Sequence, residues 1–224
     1  MAMDRIYFIT ATDTGVGKTV LAGLLVKYLR QQDVSAAALK PVCSGGRDDA
    51  RHLHSAMDGA LSLDEINPWH FRAPIAPLLA ARREKKAVRL PAVLARVRAM
   101  KKRFDVLVVE GAGGLLSPLG ENFDSRDLIA GLRATPILVA PNKLGVVNHV
   151  LLTLEALPKN LHRRTKVVLM SPSKPDPSSS TNAKLLAGFF PAKRIFELLW
   201  LGERLSSAYN NPVLKTTLRK LLHD

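Results

Sequence analysis

The sequence predicts an α/β protein in three layers, a mostly parallel central sheet with helices on both faces. Three observations predict it. Five runs rich in apolar, β-branched or small residues recur along the chain. They stay apolar throughout instead of alternating, the pattern of strands covered on both faces. Helical periodicities fall between them, and strand, helix, strand in sequence implies parallel neighbours joined by crossovers.

The first run, "IYFITA" from Ile6, is followed by a glycine-rich turn and a helical pattern over residues 18–32, with Leu21, Leu24, Leu25, Tyr28 and Leu29 on one side. The second, "AAALKPV" from Ala36, contains Lys40. A helix over residues 91–102, with Val93, Leu94, Val97 and Met100 inward, leads to the third, "DVLVVEG" from Asp105. "PILVAP" from Pro136 and "KVVLMS" from Lys166 are the fourth and fifth. "SPSKPDPSSSTN" from Ser171 reads as a surface loop. The C-terminal helical stretch "LKTTLRKLLHD" completes either the core or a dimer contact.

At 224 residues the expectation is one domain spanning residues 1–224. No uninterrupted apolar run approaches the ~18 residues of a membrane span, and "MAMDRIYFIT" enters a strand without a leader pattern. A cytoplasmic protein with no membrane partner is expected. The single cysteine, Cys43, excludes an internal disulfide or a multi-cysteine metal cluster and reads as a small packing residue. The net charge of +14 raises nucleic-acid binding, and ten of the basic residues lie between Arg82 and Arg103. Aromatic residues make up only 5% and none interleaves with that run, so it reads as a solvated helix face and no nucleic-acid partner is expected.

Parallel sheets bind ligands beyond the carboxyl ends of their strands. After the first strand comes "ATDTGVGKTV", which matches the phosphate-binding loop pattern except that Ala11 replaces its first glycine. Backbone amides turned around an anion, a helix N-terminus, an ammonium and a metal-binding hydroxyl are what that chemistry needs. Gly15, Gly17, Lys18 and Thr19 supply them, so the fold expected is the P-loop NTPase type with a nucleotide and Mg²⁺. The methyl of Ala11 is tolerable if that residue still lies in the strand. Glu110, closing the third strand before "GAGG", is the first candidate for the cation. Asp48 and Asp49 follow the second strand, where either alone reads as a first-turn helix acid. Lys40 needs an anionic partner, a structural carboxylate or a substrate. His52 and His54 lack a third ligand and read as solvent-facing.

"TDTGVGKT" from Thr12, "KPVCSG" from Lys40, "NPWHFRAPIAP" from Asn67, "VVEGAGGLLSPL" from Val108 and "NKLGVVNHVLLT" from Asn142 together resemble, in order, the blocks of the dethiobiotin synthetase family. The resemblance implies an ATP- and Mg²⁺-dependent cyclo-ligase of biotin biosynthesis, a homodimer, that closes a cyclic urea on 7,8-diaminopelargonic acid with CO₂. It implies a carbamate, its phosphorylation, and ring closure with loss of phosphate. Carried over by motif, Thr14, Gly15, Val16, Gly17, Lys18 and Thr19, with Glu110, Gly111, Gly113 and Gly114, would bind the nucleotide. Thr19, Asp49 and Glu110 would hold the metal. Lys18, Lys40, Thr14 and Ser44 would act on the carbamate and the transferred phosphoryl group, and Gly145, Val146, Val147 and Asn148 would meet the substrate carboxylate across a dimer interface. Ser171 and Pro172 stand where family members often carry an adenine-reading asparagine, which leaves the base preference open.

An alternative from another class is a partitioning or septum-site ATPase (ParA- or MinD-like), whose nucleotide-dependent dimer grips DNA or membrane through a basic surface. Those proteins carry an additional lysine early in the loop, and residues 12–16 contain none. A related amide-forming ligase of cobalamin synthesis would need a further glutaminase domain.

Overall fold

The computed structural model describes residues 5–202 and 211–223. The main sheet has six strands: β1 (Arg5–Ala11), β2 (Ala36–Leu39), β5 (Val106–Glu110), β6 (Thr135–Pro141), β7 (Lys166–Met170) and β8 (Ile195–Leu198). Their order is β2-β5-β1-β6-β7-β8, and every pairing is parallel. β3 (Val42–Ser44) and β4 (Trp69–Phe71) pair separately as a short parallel ribbon. Tyr7, Phe8 and Ile9 are all fully buried, as are Val106, Leu107, Val108 and Val109. Successive strand residues point to opposite faces, so both faces are covered.

α1 (Lys18–Gln31) packs on β2 and β5 with Leu21, Leu24 and Leu25 fully buried, alongside α2 (Asp48–Ala56). α3 (Leu63–Ile66) packs on α2 and β2, and α4 (Pro77–Arg83) packs on the β3–β4 ribbon. α5 (Leu90–Lys101) and α6 (Ser125–Leu132) pack on β5 and β1, and α7 (Val146–Glu155) packs on β6, followed by α8 (Lys159–His162) and α9 (Asn182–Leu186). α10 (Pro212–His223) buries Leu214, Leu218, Leu221 and Leu222 against α1 and β8. It therefore completes the core. The Tyr7 hydroxyl donates to Leu222 O at 2.6 Å and Lys166 Nζ to Leu221 O at 2.7 Å. No helix among the described residues is long and apolar enough to cross a membrane.

Three readings of the sequence need correction. β8 and the β3–β4 ribbon carry no strand signal, because their segments are only three or four residues long and Glu197 interrupts the apolar run of β8. Residues 171–182 do not form a purely surface loop, since a single 3₁₀ turn at Pro177–Ser180 leads into α9 and both Ser179 and Asn182 are buried. The ring of His52 does not face solvent: it lies against Gly23 of α1, where a methyl would come within 2.8 Å of its Nε2, a buried atom without a hydrogen-bond partner among the described residues.

The 171–182 segment is held by Asn142. Its Nδ2 donates to Ser179 O at 3.0 Å, its Oδ1 accepts from Asn182 Nδ2 at 2.9 Å, and its backbone N–H donates to Met170 O at 2.8 Å. Asn142→Ala leaves the buried Ser179 O without its donor and removes one of the three acceptors of Asn182 Nδ2, and the expected loss is about 1–3 kcal/mol of unfolding free energy, measured by urea denaturation.

Candidate active site

The register of the sheet builds the site. β1 pairs Ile9 with Glu110, and β2 pairs Leu39 with Val109, so Lys40 emerges beside Glu110 at the carboxyl edge. Ala11 is the last residue of β1 and fully buried, with its carbonyl accepting from Leu115 N–H at 3.1 Å. The alanine in place of the first loop glycine thus sits in strand geometry that any L-residue adopts.

The loop then turns into α1 through Gly17, whose φ of 102° belongs to the left-handed region that favours glycine. A Cβ there would also approach Met170 Cε to 2.9 Å. The first amides of α1 have no intrahelical acceptor, no side chain caps them and no acid lies in the first turn. They form a positive end with unclaimed donors, suited to phosphate oxygens.

Four elements bring charge to this end. Lys40 Nζ lies 2.6 Å from Glu110 Oε1 and 2.7 Å from Asp49 Oδ2, and it donates to Gly111 O at 3.0 Å. Its backbone is held as firmly: Lys40 N–H donates to Ile66 O at 2.9 Å, and Asn67 Nδ2 donates to Lys40 O at 2.6 Å. Thr19 Oγ1 lies 2.9 Å from Asp49 Oδ1 and 2.8 Å from Glu110 Oε1. Asp48 points away and pairs with Arg51. Lys18 Nζ donates to Asp13 O at 2.9 Å.

These contacts set the charge states. Burial, with the Lys40 charge behind it, pulls the Lys18 amine down to about 8, against the opposing pull of Glu110, Asp49 and Asp13. Burial also works against charge on Lys40, but Glu110 and Asp49 outweigh it and hold its amine above the ordinary lysine value. For Asp49 burial is again outweighed, by the Lys40 charge and hydrogen bond, and its carboxyl lies below the usual range. Burial pushes the Cys43 thiol up, and its Sγ lies 3.1 Å from Asn67 Oδ1, as suits a packing residue and not a nucleophile.

The cleft over these groups has a volume of about 720 Å³. Thr14, Gly15, Gly17, Lys18, Thr19, Lys40, Ser44, Asp49, Glu110 and Gly113 all line it. Ser44 Oγ donates to Ile75 O at 2.6 Å, which leaves its lone pairs free. Val16, Gly111 and Gly114 do not line the cleft. Gly145, Val146, Val147 and Asn148 do not line it either; they open α7, where Val146 is buried and its N–H donates to Lys143 O at 3.1 Å. Pro74, Ile75, Ala76 and Pro77 form the apolar wall, and Ser117 Oγ accepts from Gly114 N–H at 2.9 Å. Sequence reasoning missed these five as lining residues, although the prolines spaced three apart in "PIAP" mark a stiff segment.

Thr19, Asp49 and Glu110 offer hard oxygen ligands, and a carboxylate oxygen of each acid lies within 2.9 Å of the Thr19 hydroxyl. Glu110 Oε2 is buried with no hydrogen-bond partner among the described residues. An orphaned carboxylate oxygen beside a hydroxyl and a second carboxylate fits a small divalent cation such as Mg²⁺.

A family model described as an AAA domain matches residues 5–203. The ATP-dependent dethiobiotin synthetase BioD of Anaeromyxobacter sp. (strain Fw109-5) is 40% identical over 205 residues, covering 88% of this chain and 92% of the relative. The chain belongs to the dethiobiotin synthetase family. The family's enzyme from Akkermansia muciniphila is 42% identical over 153 residues, covering 68% of this chain and 72% of its own. An ATP-dependent ligase, the enzyme class expected from the sequence, is the class of this family. Among solved structures, a ParA family ATPase from Chlorobium tepidum TLS superposes with a TM-score of 0.61 at 14% identity, covering 99% of this chain and 100% of that one. A chain of the MinC:MinD cell division protein complex of Aquifex aeolicus gives 0.56 at 12%, covering 97% and 94%. These two likenesses show the P-loop α/β fold that the dethiobiotin synthetase family shares with them.

With its amine at about 8, Lys18 is charged at pH 7 and loses its proton well before an ordinary lysine. Side-chain ¹⁵N NMR of the free protein should give a Lys18 midpoint near 8. Lys40→Met should raise that midpoint, because it removes a depressing charge while Glu110 and Asp49 remain.

Proposed function

We propose that this chain is an ATP-dependent cyclo-ligase that closes the cyclic urea of dethiobiotin on 7,8-diaminopelargonic acid and CO₂, as one domain over residues 1–224. One observation carries the reading: Lys18, Thr19, Lys40, Asp49 and Glu110, drawn from four separated segments, converge on a single cleft. Family membership supplies the substrate class.

In this reading one amine of the substrate loses a proton and attacks CO₂, forming a carbamate. The carbamate oxygen then takes the γ-phosphoryl group as ADP leaves, and the second amine attacks the carbonyl carbon as phosphate leaves. Positioning and charge stabilisation supply most of the catalysis. The α1 amides and Lys18 hold the phosphates from one side, while Lys40, on its carboxylate cradle, presents a fixed cation to the carbamate. Thr14 closes the cleft from the loop. Ser44, its proton engaged with Ile75 O, offers lone pairs that accept from amine N–H groups. Thr19, Asp49 and Glu110 would hold Mg²⁺, which when bound neutralises phosphate charge.

The same reading makes the enzyme a cytoplasmic homodimer. Gly145–Asn148 at the start of α7 would receive the substrate carboxylate of the partner subunit, and the exposure of Leu144 (79%) and Leu152 (62%) around that helix supports a buried contact there.

Purified protein supplied with ATP, Mg²⁺, bicarbonate and 7,8-diaminopelargonic acid should release phosphate and form dethiobiotin in equal amounts. Phosphate release that is independent of the diamino acid would overturn the ligase reading. Lys18→Ala and Lys40→Met should each lower kcat by about 10²–10³-fold, measured by mass-spectrometric detection of the cyclic urea.

A further inference from the structure

A second cavity, of about 540 Å³, opens at the opposite edge of the sheet. It is bounded by the amino ends of β1, β6 and β7 and by Arg194, just before β8. β1 runs seven residues from this edge to the phosphate loop, a separation of about 20 Å at ~3.3 Å per residue. The two cavities share no lining residue.

Among the described residues the lining carries seven lysine or arginine side chains and no acid. Lys101 and Lys166 have partners of their own. Arg5, Arg133, Arg163, Arg164 and Arg194 are different: none has a carboxylate partner among the described residues. Elsewhere in the chain arginines do find acids, as Arg82 does with Glu121 and Arg103 with Glu65.

Helix capping accounts for part of this. α5, α6 and α8 end at this edge, and cations favour helix C-termini. Arg164 donates to Arg133 O at 3.3 Å, Arg5 to Leu222 O at 3.3 Å, and Arg194 to Arg163 O. With the C-terminus of α10, whose Leu222 O accepts from Arg5, four helix ends supply roughly −2 charges at about −0.5 each, against five guanidinium charges. Each capping arginine uses only one or two of its five donors. Arg133 and Arg163 make no side-chain hydrogen bond or ion pair at all among the described residues, although both line the cavity. A concave site with several unspent guanidinium forks is complementary to multiply charged phosphate.

We propose that this cavity is a binding site for a compact polyphosphate, a ligand with contiguous phosphate groups, separate from the phosphate loop. Nucleoside triphosphates and inorganic polyphosphate share that chemistry. Nucleic acid fits less well, since the cavity's one aromatic ring, Tyr7, is buried with its hydroxyl engaged and offers no stacking face.

The test is calorimetric titration of the full chain with sodium tripolyphosphate at 0.15 M NaCl, with Lys18→Ala to disable the loop. Lys18→Ala should retain one site, and adding Arg133→Gln and Arg163→Gln should weaken it at least tenfold with unchanged circular dichroism. Adding Lys85→Gln and Lys102→Gln instead removes the same charge outside the cavity and should leave affinity within twofold. Should the arginine variants not fold, competition on the Lys18→Ala protein decides: displacement by ATP supports the site with a nucleotide as its source, and displacement by longer inorganic polyphosphate alone supports it with that source. Absence of binding to Lys18→Ala, equal losses from both charge pairs, or displacement by a single-stranded oligonucleotide overturns the proposal.

Discussion

The site depends on one buried ion pair, Lys40 with Glu110. Their side chains are 3% and 0% exposed, and the two groups lie 2.6 Å apart at the ends of neighbouring strands. Removing either charge from water is costly, and only close pairing with further hydrogen bonds makes up the loss. Here Asp49 and Gly111 O complete the ammonium's shell, and Thr19 reaches Glu110 from α1. β2, β5, α1 and the start of α2 are therefore fixed to one another at the point where phosphate would bind. Burial and, after it, the same ammonium lower the Lys18 amine, so two cations face the cleft in readiness for anionic ligands. An anion entering the cleft relieves that repulsion.

Much of this was legible in sequence because it rests on periodicity and on loop chemistry. The five long apolar runs became five of the six sheet strands, and "GVGKT" announced a turn that needs glycine at φ of 102° before an uncapped helix. What stayed hidden depends on register. That Lys40 would meet Glu110 follows only from the pairing of Leu39 with Val109, and apart from the family resemblance nothing in the residues separated Asp49 from Asp48 before α2 was in place. The buried role of Asn142, the packing of His52 on Gly23 and the apolar wall of Pro74–Pro77 likewise arise from contacts between distant segments. β3, β4 and β8 are too short to leave a periodic signature.

The parallel sheet also sorts charge between its two edges. At the carboxyl edge lysines are matched by carboxylates inside a cleft, which gives a nearly neutral site with directed donors. At the amino edge five arginines gather around helix C-termini without a carboxylate partner among the described residues, which leaves unbalanced positive charge there. The run between Arg82 and Arg103, which dominates the charge pattern in sequence, is partly neutralised by Glu121, Glu84 and Glu65. Lys101 of that run also lines the amino-edge cavity, so the two basic regions meet there.

The account stands on the coupling between Lys40 and Glu110, and a double-mutant cycle on unfolding free energy measures it directly. Lys40→Met and Glu110→Gln should each cost about 3–5 kcal/mol, and the double variant should be more stable than the sum of the single effects by at least ~1.5 kcal/mol. Single effects that add to within about 0.5 kcal/mol would show that the two groups are independent, and would contradict the placement of the site around them.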